Sequence, residues 1–449
     1  MASDSAATGP EAGARRTWRS GLLFRNRDFR WFWAGQSVSL LGSYITAVAL
    51  PLIAVLTLHA GAVGVSLVTT ASYLPNVLLP LLAGEWLERR RRRRIMVICD
   101  LVRAVALAAV PVAYLMDSLT IALLTVVAFI VGAASVVFDI AGFAYIPTLV
   151  GAGDLPAAVR SQQASSTVAN FGGPGAAGLL AQLFGPVMAI IVDAVSYLAS
   201  VFGVTAARTP EPAPPVPEQR VKISSGLTMV LRHPFLRALA LHAAGYNLAY
   251  PIITVNLVVY AIDDRGLSAG AYGLILTLGG CGGFVGAMIA IRLAQRFGYG
   301  QGFAMALVLT SGLPLLFAPA PFHGVAFLLF LGACMLLTGT GGGVTNVLSI
   351  TLRQVGAPPG FLARTNGGYR LIVYGVLPVG SAIGGVLGNW VGPRAGLGIG
   401  AAVLALAAIP MLTRRVRSIK EPTAMRADRA FATADEPDLR TDAPVAGPS

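Results

Sequence analysis

Apolar runs of about twenty residues, separated by short polar or basic gaps, dominate this chain, and such a run is the length a helix needs to cross a bilayer. The runs fall at 31–58, 65–86, 95–116, 119–145, 161–184 and 187–206. After a Pro-rich break they resume at 235–259, 271–293, 303–320, 325–348, 363–387 and 395–412. The pattern predicts an all-α membrane protein of twelve transmembrane helices, with both ends of the chain on one side. Residues 1–30 read as a cytoplasmic arm and 31–206 as a first six-helix bundle. Residues 207–234 read as a linker, 235–413 as a second bundle and 414–449 as a disordered tail.

Composition supports this reading. The chain is 55% hydrophobic and only 12% charged, about half the usual charge content of a soluble domain. A net charge of +13 raises the question of a nucleic-acid partner. The basic residues, however, sit in gaps between apolar runs and not on one face with interleaved aromatics, which argues against nucleic acid. They also set the orientation. With the first residues cytoplasmic, inner segments hold nearly all the arginines, including the run Arg89–Arg94, and outer loops keep only Arg265 and Arg394. Cys99, Cys281 and Cys334 lie far apart within apolar runs and have neither metal nor disulfide spacing. No metal, cofactor or catalytic constellation is expected.

The two halves resemble each other. "LFRNRDFR" (from Leu23) returns as "VLRHPFLR" (from Val230), and "GP" at Gly185–Pro186 returns at Gly392–Pro393, both 207 residues on. "GAVG" (from Gly61) returns as "GAYG" (from Gly270), 209 residues on. Parallel halves of this kind place substrate sites between them, near the midplane. The pattern therefore predicts two pseudo-symmetric six-helix bundles.

Between the second and third runs lies "GEWLERRRRRRIM". Six like charges side by side fix a loop on the cytoplasmic side, and arginines there have helix-end carbonyls and lipid phosphates as partners. Gly84, Glu88, Arg89, Arg92 and Arg93 resemble the loop signature of the major facilitator superfamily, although Glu88 stands for Asp, Trp86 for Leu and Arg91 for Gly. "DLVRA" (Asp100–Ala104), "VFDIAGFAYIPTLV" (Val137–Val150) and "DAVSYLAS" (Asp193–Ser200) are similar to macrolide-efflux and siderophore-exporter types of drug:proton antiporter. The resemblance implies that the loop, joined by Asp139, forms a cytoplasmic latch. Gly173, Pro174 and Gly178 resemble the antiporter motif, which implies efflux. Pro174 also bends its helix, and the neighbouring glycines admit a close helix neighbour.

Ionisable residues inside the membrane need a partner or a function. Asp100 and Arg103, three apart on one helix face, satisfy each other. Asp193 has no cation nearby in sequence and is the proton-coupling candidate, with a hydrogen bond to a neighbouring helix as the alternative. Cavity candidates are Gln36, Ser43, Tyr44, Tyr73, Asn76, Asn170, Tyr246, Asn247, Asn346 and Tyr369, each of which could instead bond a neighbouring helix. Arg370 serves either an anionic substrate or a structural carboxylate. Aromatics and amides with few fixed charges suit an amphipathic ligand.

Together with the resemblance, these features lead to an expected monomeric exporter in a bacterial inner membrane. Its partners are protons, the lipid bilayer and a hydrophobic or amphipathic small molecule such as an antibiotic, secondary metabolite or siderophore. A proton-coupled uptake permease and a non-transporting receptor or assembly factor are the alternatives.

Overall fold

The computed structural model describes residues 22–82, 90–211, 230–231, 234–356 and 362–421. Its principal helices are α1 (Arg27–Leu52), α2 (Ala62–Tyr73), α3 (Pro75–Leu82), α4 (Arg92–Leu115), α5 (Ile121–Phe184) and α6 (Pro186–Ala206). They continue with α7 (Pro234–Val259), α8 (Ala269–Phe297), α9 (Tyr299–Leu307), α10 (Gly324–Gly356), α11 (Leu362–Gly375), α12 (Leu377–Trp390) and α13 (Pro393–Ala408). Among the described residues, 11 helices are long and apolar enough to cross a membrane.

The expected fourth and fifth spans are the two helices of α5, which meet at Gly151, where φ is 70° and ψ is 169°. A left-handed φ of this kind suits glycine, which has no Cβ to clash. The arm before the break is one of the 11; the arm after it opens with Asp154, Arg160, Gln162 and Gln163 and is not.

Backbone geometry repeats along the chain. A π-helical turn ends α1 at Ile53–Thr57 and another ends α7 at Tyr260–Asp264, 207 residues later. The left-handed residues His59, Asp117 and Gly185 have counterparts at Gly266, Gly324 and Gly392, again 207 residues on. The same 207-residue offset thus recurs in three pairs of left-handed residues and in one pair of π-turns.

Close helix contacts run along glycine stripes. Gly282 and Gly286 of α8 face the backbone of Leu336 and Thr340 in α10, while Gly339 and Gly343 face Gly279 and Gly283 in return. "GTGGG" is thus a packing surface, as its lack of a strand–turn–helix context suggests. Across the halves, Gly178 of α5 meets Gly273 of α8, and Gly175 meets Thr277. A second contact joins α2 to α12: Gly385 abuts Ser66, and the Ser381 hydroxyl donates to the Ser66 carbonyl at 3.2 Å. Both contacts lie toward the end of the molecule that carries the α1–α2 turn, opposite the first and last described residues, Leu22 and Glu421.

Candidate functional site: a charged cavity in the first half

The first half contains a cavity of about 190 Å³. Its wall is a helical stripe on α1 (Trp33, Gln36, Ser37, Leu40 and Ser43), completed by Arg103 of α4 and by Ser135, Phe138, Asp139 and Gln162 of α5. The stripe follows the i, i+3, i+4, i+7 spacing of one helix face.

Arg103 is the centre of the polar groups. It is 4% exposed, ion-paired with the fully buried Asp100, and its guanidinium lies 4.3 Å from the centroids of both the Phe138 and Tyr197 rings. Such a desolvated stack is worth about 2 kcal/mol per good face. An Arg103 nitrogen also approaches Ser135 Oγ at 3.4 Å. Two further carboxylates, Asp139 and Asp193, lie within electrostatic range of the same guanidinium. Arg103 Nε and Asp100 Oδ2 have no hydrogen-bond partner among the described residues.

Asp193 is sealed in. It is 0% exposed and accepts hydrogen bonds from the hydroxyls of Thr46 and Ser196, the latter at 2.8 Å. One turn further along α6, the Tyr197 hydroxyl meets Ser43 at 3.1 Å, and Gln36 donates to Ser200 at 2.7 Å. The α1–α6 interface is therefore held by a ladder of hydroxyl and amide bonds around one acid. The expectation that Asp193 has no cation nearby is corrected, because α4 brings Arg103 beside it.

Arg92 of the arginine run reaches the Ala144 carbonyl, five residues from Asp139 on the same helix. Asp139 itself lies on the cavity wall and forms no ion pair among the described residues. Across the gap it is within electrostatic range of Arg370 on α11 of the second half.

Gly84, Glu88 and Arg89 lie outside the described residues. Arg92 and Arg93 do not face Asp139. Their backbone N–H groups donate to Glu211 at 2.6 and 3.3 Å, so the linker carboxylate caps the start of α4. The Arg93 side chain donates to the Val204 and Thr205 carbonyls at the end of α6, at 3.2 and 2.6 Å, and Arg92 donates to the Ala144 carbonyl. Cations at a helix C-terminus complement its dipole. Asp28 fastens the linker too, accepting from the N–H groups of Arg208 and Thr209.

The other cavity candidates scatter. Gln36 and Ser43 line the cavity. Tyr44 packs on Gly173, so that part of the antiporter-like motif supports α1, while Pro174 and Gly178 meet Gly273. Tyr44, Tyr73, Tyr246 and Tyr272 all lie within electrostatic range of Tyr250, and the Tyr246 and Tyr250 rings stack at 6.1 Å. Asn247 bonds its own helix at Ala243, and Tyr369 is buried beneath the Arg353 guanidinium. Asn76, Asn170 and Asn346 are exposed, and Arg370 stacks on Tyr374. Trp33, Ser135 and Tyr250 were missed. The α1 stripe and the Ser135–Asp139 spacing of one helical turn were the available signals.

Against known proteins, the family model described as "Transmembrane secretion effector" matches residues 21–442. The chain belongs to that family, a branch of the major facilitator superfamily, and is therefore a membrane transport protein and not an enzyme. It is 27% identical over 409 residues to the multidrug efflux pump Tap of Mycolicibacterium fortuitum, covering 87% of this chain and 94% of that one. It is 23% identical over 283 residues to the uncharacterized MFS-type transporter YvqJ of Bacillus subtilis (strain 168), covering 59% and 67%. Among solved structures, the inward-facing state of a bacterial homologue of the iron transporter ferroportin aligns with a TM-score of 0.70 at 16% identity, covering 87% and 99%. The outward-facing state of a ferroportin homologue scores 0.57 at 17% identity, covering 86% and 98%. The nucleoside transporter NupG scores 0.67 at 15% identity, covering 86% and 99%.

Proposed function

We propose that this protein is a proton-coupled exporter of hydrophobic or amphipathic small molecules in a bacterial inner membrane, with both ends of the chain cytoplasmic. In this reading it has twelve spans in two pseudo-symmetric six-helix bundles, the two arms of α5 supplying the fourth and fifth. The bundles rock about the α5–α8 and α2–α12 contacts. Because those contacts close the end opposite the chain ends, the described conformation opens toward the cytoplasm. The better alignment with an inward-facing structure supports that assignment.

The observation that carries the coupling is Asp139: a carboxylate facing the cavity without an ion-pair partner among the described residues, backed by a buried arginine. A group placed there meets protons from whichever side is open. Asp193, enclosed by Thr46 and Ser196, acts as the buried member of the same network. The tyrosines around Tyr250 give a bulky apolar ligand aromatic faces with polar tips. Efflux is supported by the 27% identity to a multidrug efflux pump across most of both chains.

One proton moving down about 100 mV supplies roughly 2.3 kcal/mol, which sustains a gradient of about fifty-fold. The test is flux in proteoliposomes under an imposed pH gradient, using ethidium and a panel of amphipathic antibiotics. Substrate moving against the proton flow supports export. Movement with the protons supports uptake, and no gradient-dependent flux removes the transport coupling.

A further inference from the structure

One buried guanidinium faces three carboxylates, and only one of them holds it. Arg103 is paired with Asp100 on its own helix, while Asp139 approaches from α5 and Asp193 from α6. The other groups facing it are Cys99 on α4, Tyr197 on α6 and Ser135 on α5. Ser39 and Ser43 of α1 share the cavity wall, and Arg370 of α11 faces Asp139 from the second half.

Two details single out Arg103 from an ordinary structural ion pair. Nε of Arg103 and Oδ2 of Asp100 are both buried without a hydrogen-bond partner among the described residues. Each orphan group costs about 1–3 kcal/mol, so the Asp100–Arg103 pair leaves bonding capacity that another partner can take up. In addition, the aromatic faces of Phe138 and Tyr197 hold the guanidinium from two sides at equal distance. Phe138, Asp139 and Arg103 line the same cavity, so the stacked guanidinium and the second carboxylate share one wall.

We infer that Arg103 is a positioning residue that exchanges partners: the guanidinium and the transported proton compete for Asp139, and Asp100 holds the guanidinium while the proton is bound. Loss of the proton from Asp139 leaves a carboxylate that draws Arg103 across the Phe138 face and away from Asp100. No covalent bond is made; one proton leaves and one ion pair replaces another. The inference rests on the proton-coupled reading for its function, but the exchange itself is measurable without transport.

The experiment is an infrared titration of the purified protein, following the protonated carboxyl C=O band assigned to Asp139 by its absence in Asp139→Asn. In Asp100→Asn the guanidinium has lost its resting partner and competes harder, so the band should vanish at least about one pH unit lower than in the wild type. In Arg103→Gln the competitor is gone, and the band should persist to higher pH. Arg103→Lys keeps the charge and should restore part of the shift if the glutamine variant folds poorly. Equal midpoints in wild type, Asp100→Asn and Arg103→Lys would overturn the exchange. Shifted midpoints in a protein without pH-driven flux would keep the exchange and overturn the exporter reading instead.

Discussion

Backbone turns recur 207 residues apart along the chain, and the charged network does not recur at that offset. Asp100, Arg103, Asp139 and Asp193 of the first half correspond to Leu307, Thr310, Asn346 and Gly400 of the second. Tyr197, which stacks on the arginine, corresponds to Leu404. The backbone turns were kept, and the chemistry was not. The first half carries the ionisable groups, while the second presents a glycine-striped surface, Arg370 and the greater part of the tyrosine cluster. The charged groups and the glycine-striped packing surface are thus segregated along the chain.

The comparison breaks most sharply if the second half's residue is copied into the first. Asp139→Asn should reduce pH-driven flux in proteoliposomes by at least about tenfold, an effect of about 1.4 kcal/mol or more. Energy-independent exchange across the same vesicles should survive. Next in size is Gly178→Leu, which forces a side chain into the Gly273 backbone. Overpacking of this kind costs about 1–3 kcal/mol, and the variant should show a lower Tm and weaker cross-linking between cysteines placed on α5 and α8.

Of the same size is Asp193→Leu, which orphans the Thr46 and Ser196 hydroxyls. It should destabilise the α1–α6 contact by about 1–3 kcal/mol, read as a Tm drop that Asp193→Asn largely avoids. Ser381→Ala removes one hydrogen bond between the halves and should change Tm least, by an amount matching about 1 kcal/mol.

Much of this architecture was legible in the chain because bilayer thickness imposes a length on each helix and basic residues punctuate the gaps. The 207-residue offset is visible in one eight-residue stretch and one dipeptide and reappears in the turns. Rotation about each helix axis was not legible. Helices this apolar, with small residues on several faces, leave little periodicity to say which face meets which neighbour. Resemblance alone joins Asp139 to the arginine loop, and only the folded helices bring it to one cavity wall with Arg103. The i,i+3 spacing of Asp100 and Arg103 shows their pairing but not the groups that α5 and α6 bring to them. The Tyr250 cluster draws on α1, α2, α7 and α8, and no local pattern joins residues so distant in sequence.

The break at Gly151 makes the long α5 a bent crank. Asp139 lies 12 residues from the elbow on one arm and Gly178 lies 27 residues from it on the other. At 1.5 Å per residue the arms measure about 18 and 40 Å, so a turn of about 10° at the elbow moves their ends by roughly 3 and 7 Å. The carboxylate of the cavity and the glycine seam between the halves thus lie on opposite sides of one residue's torsions. The longer arm carries the seam.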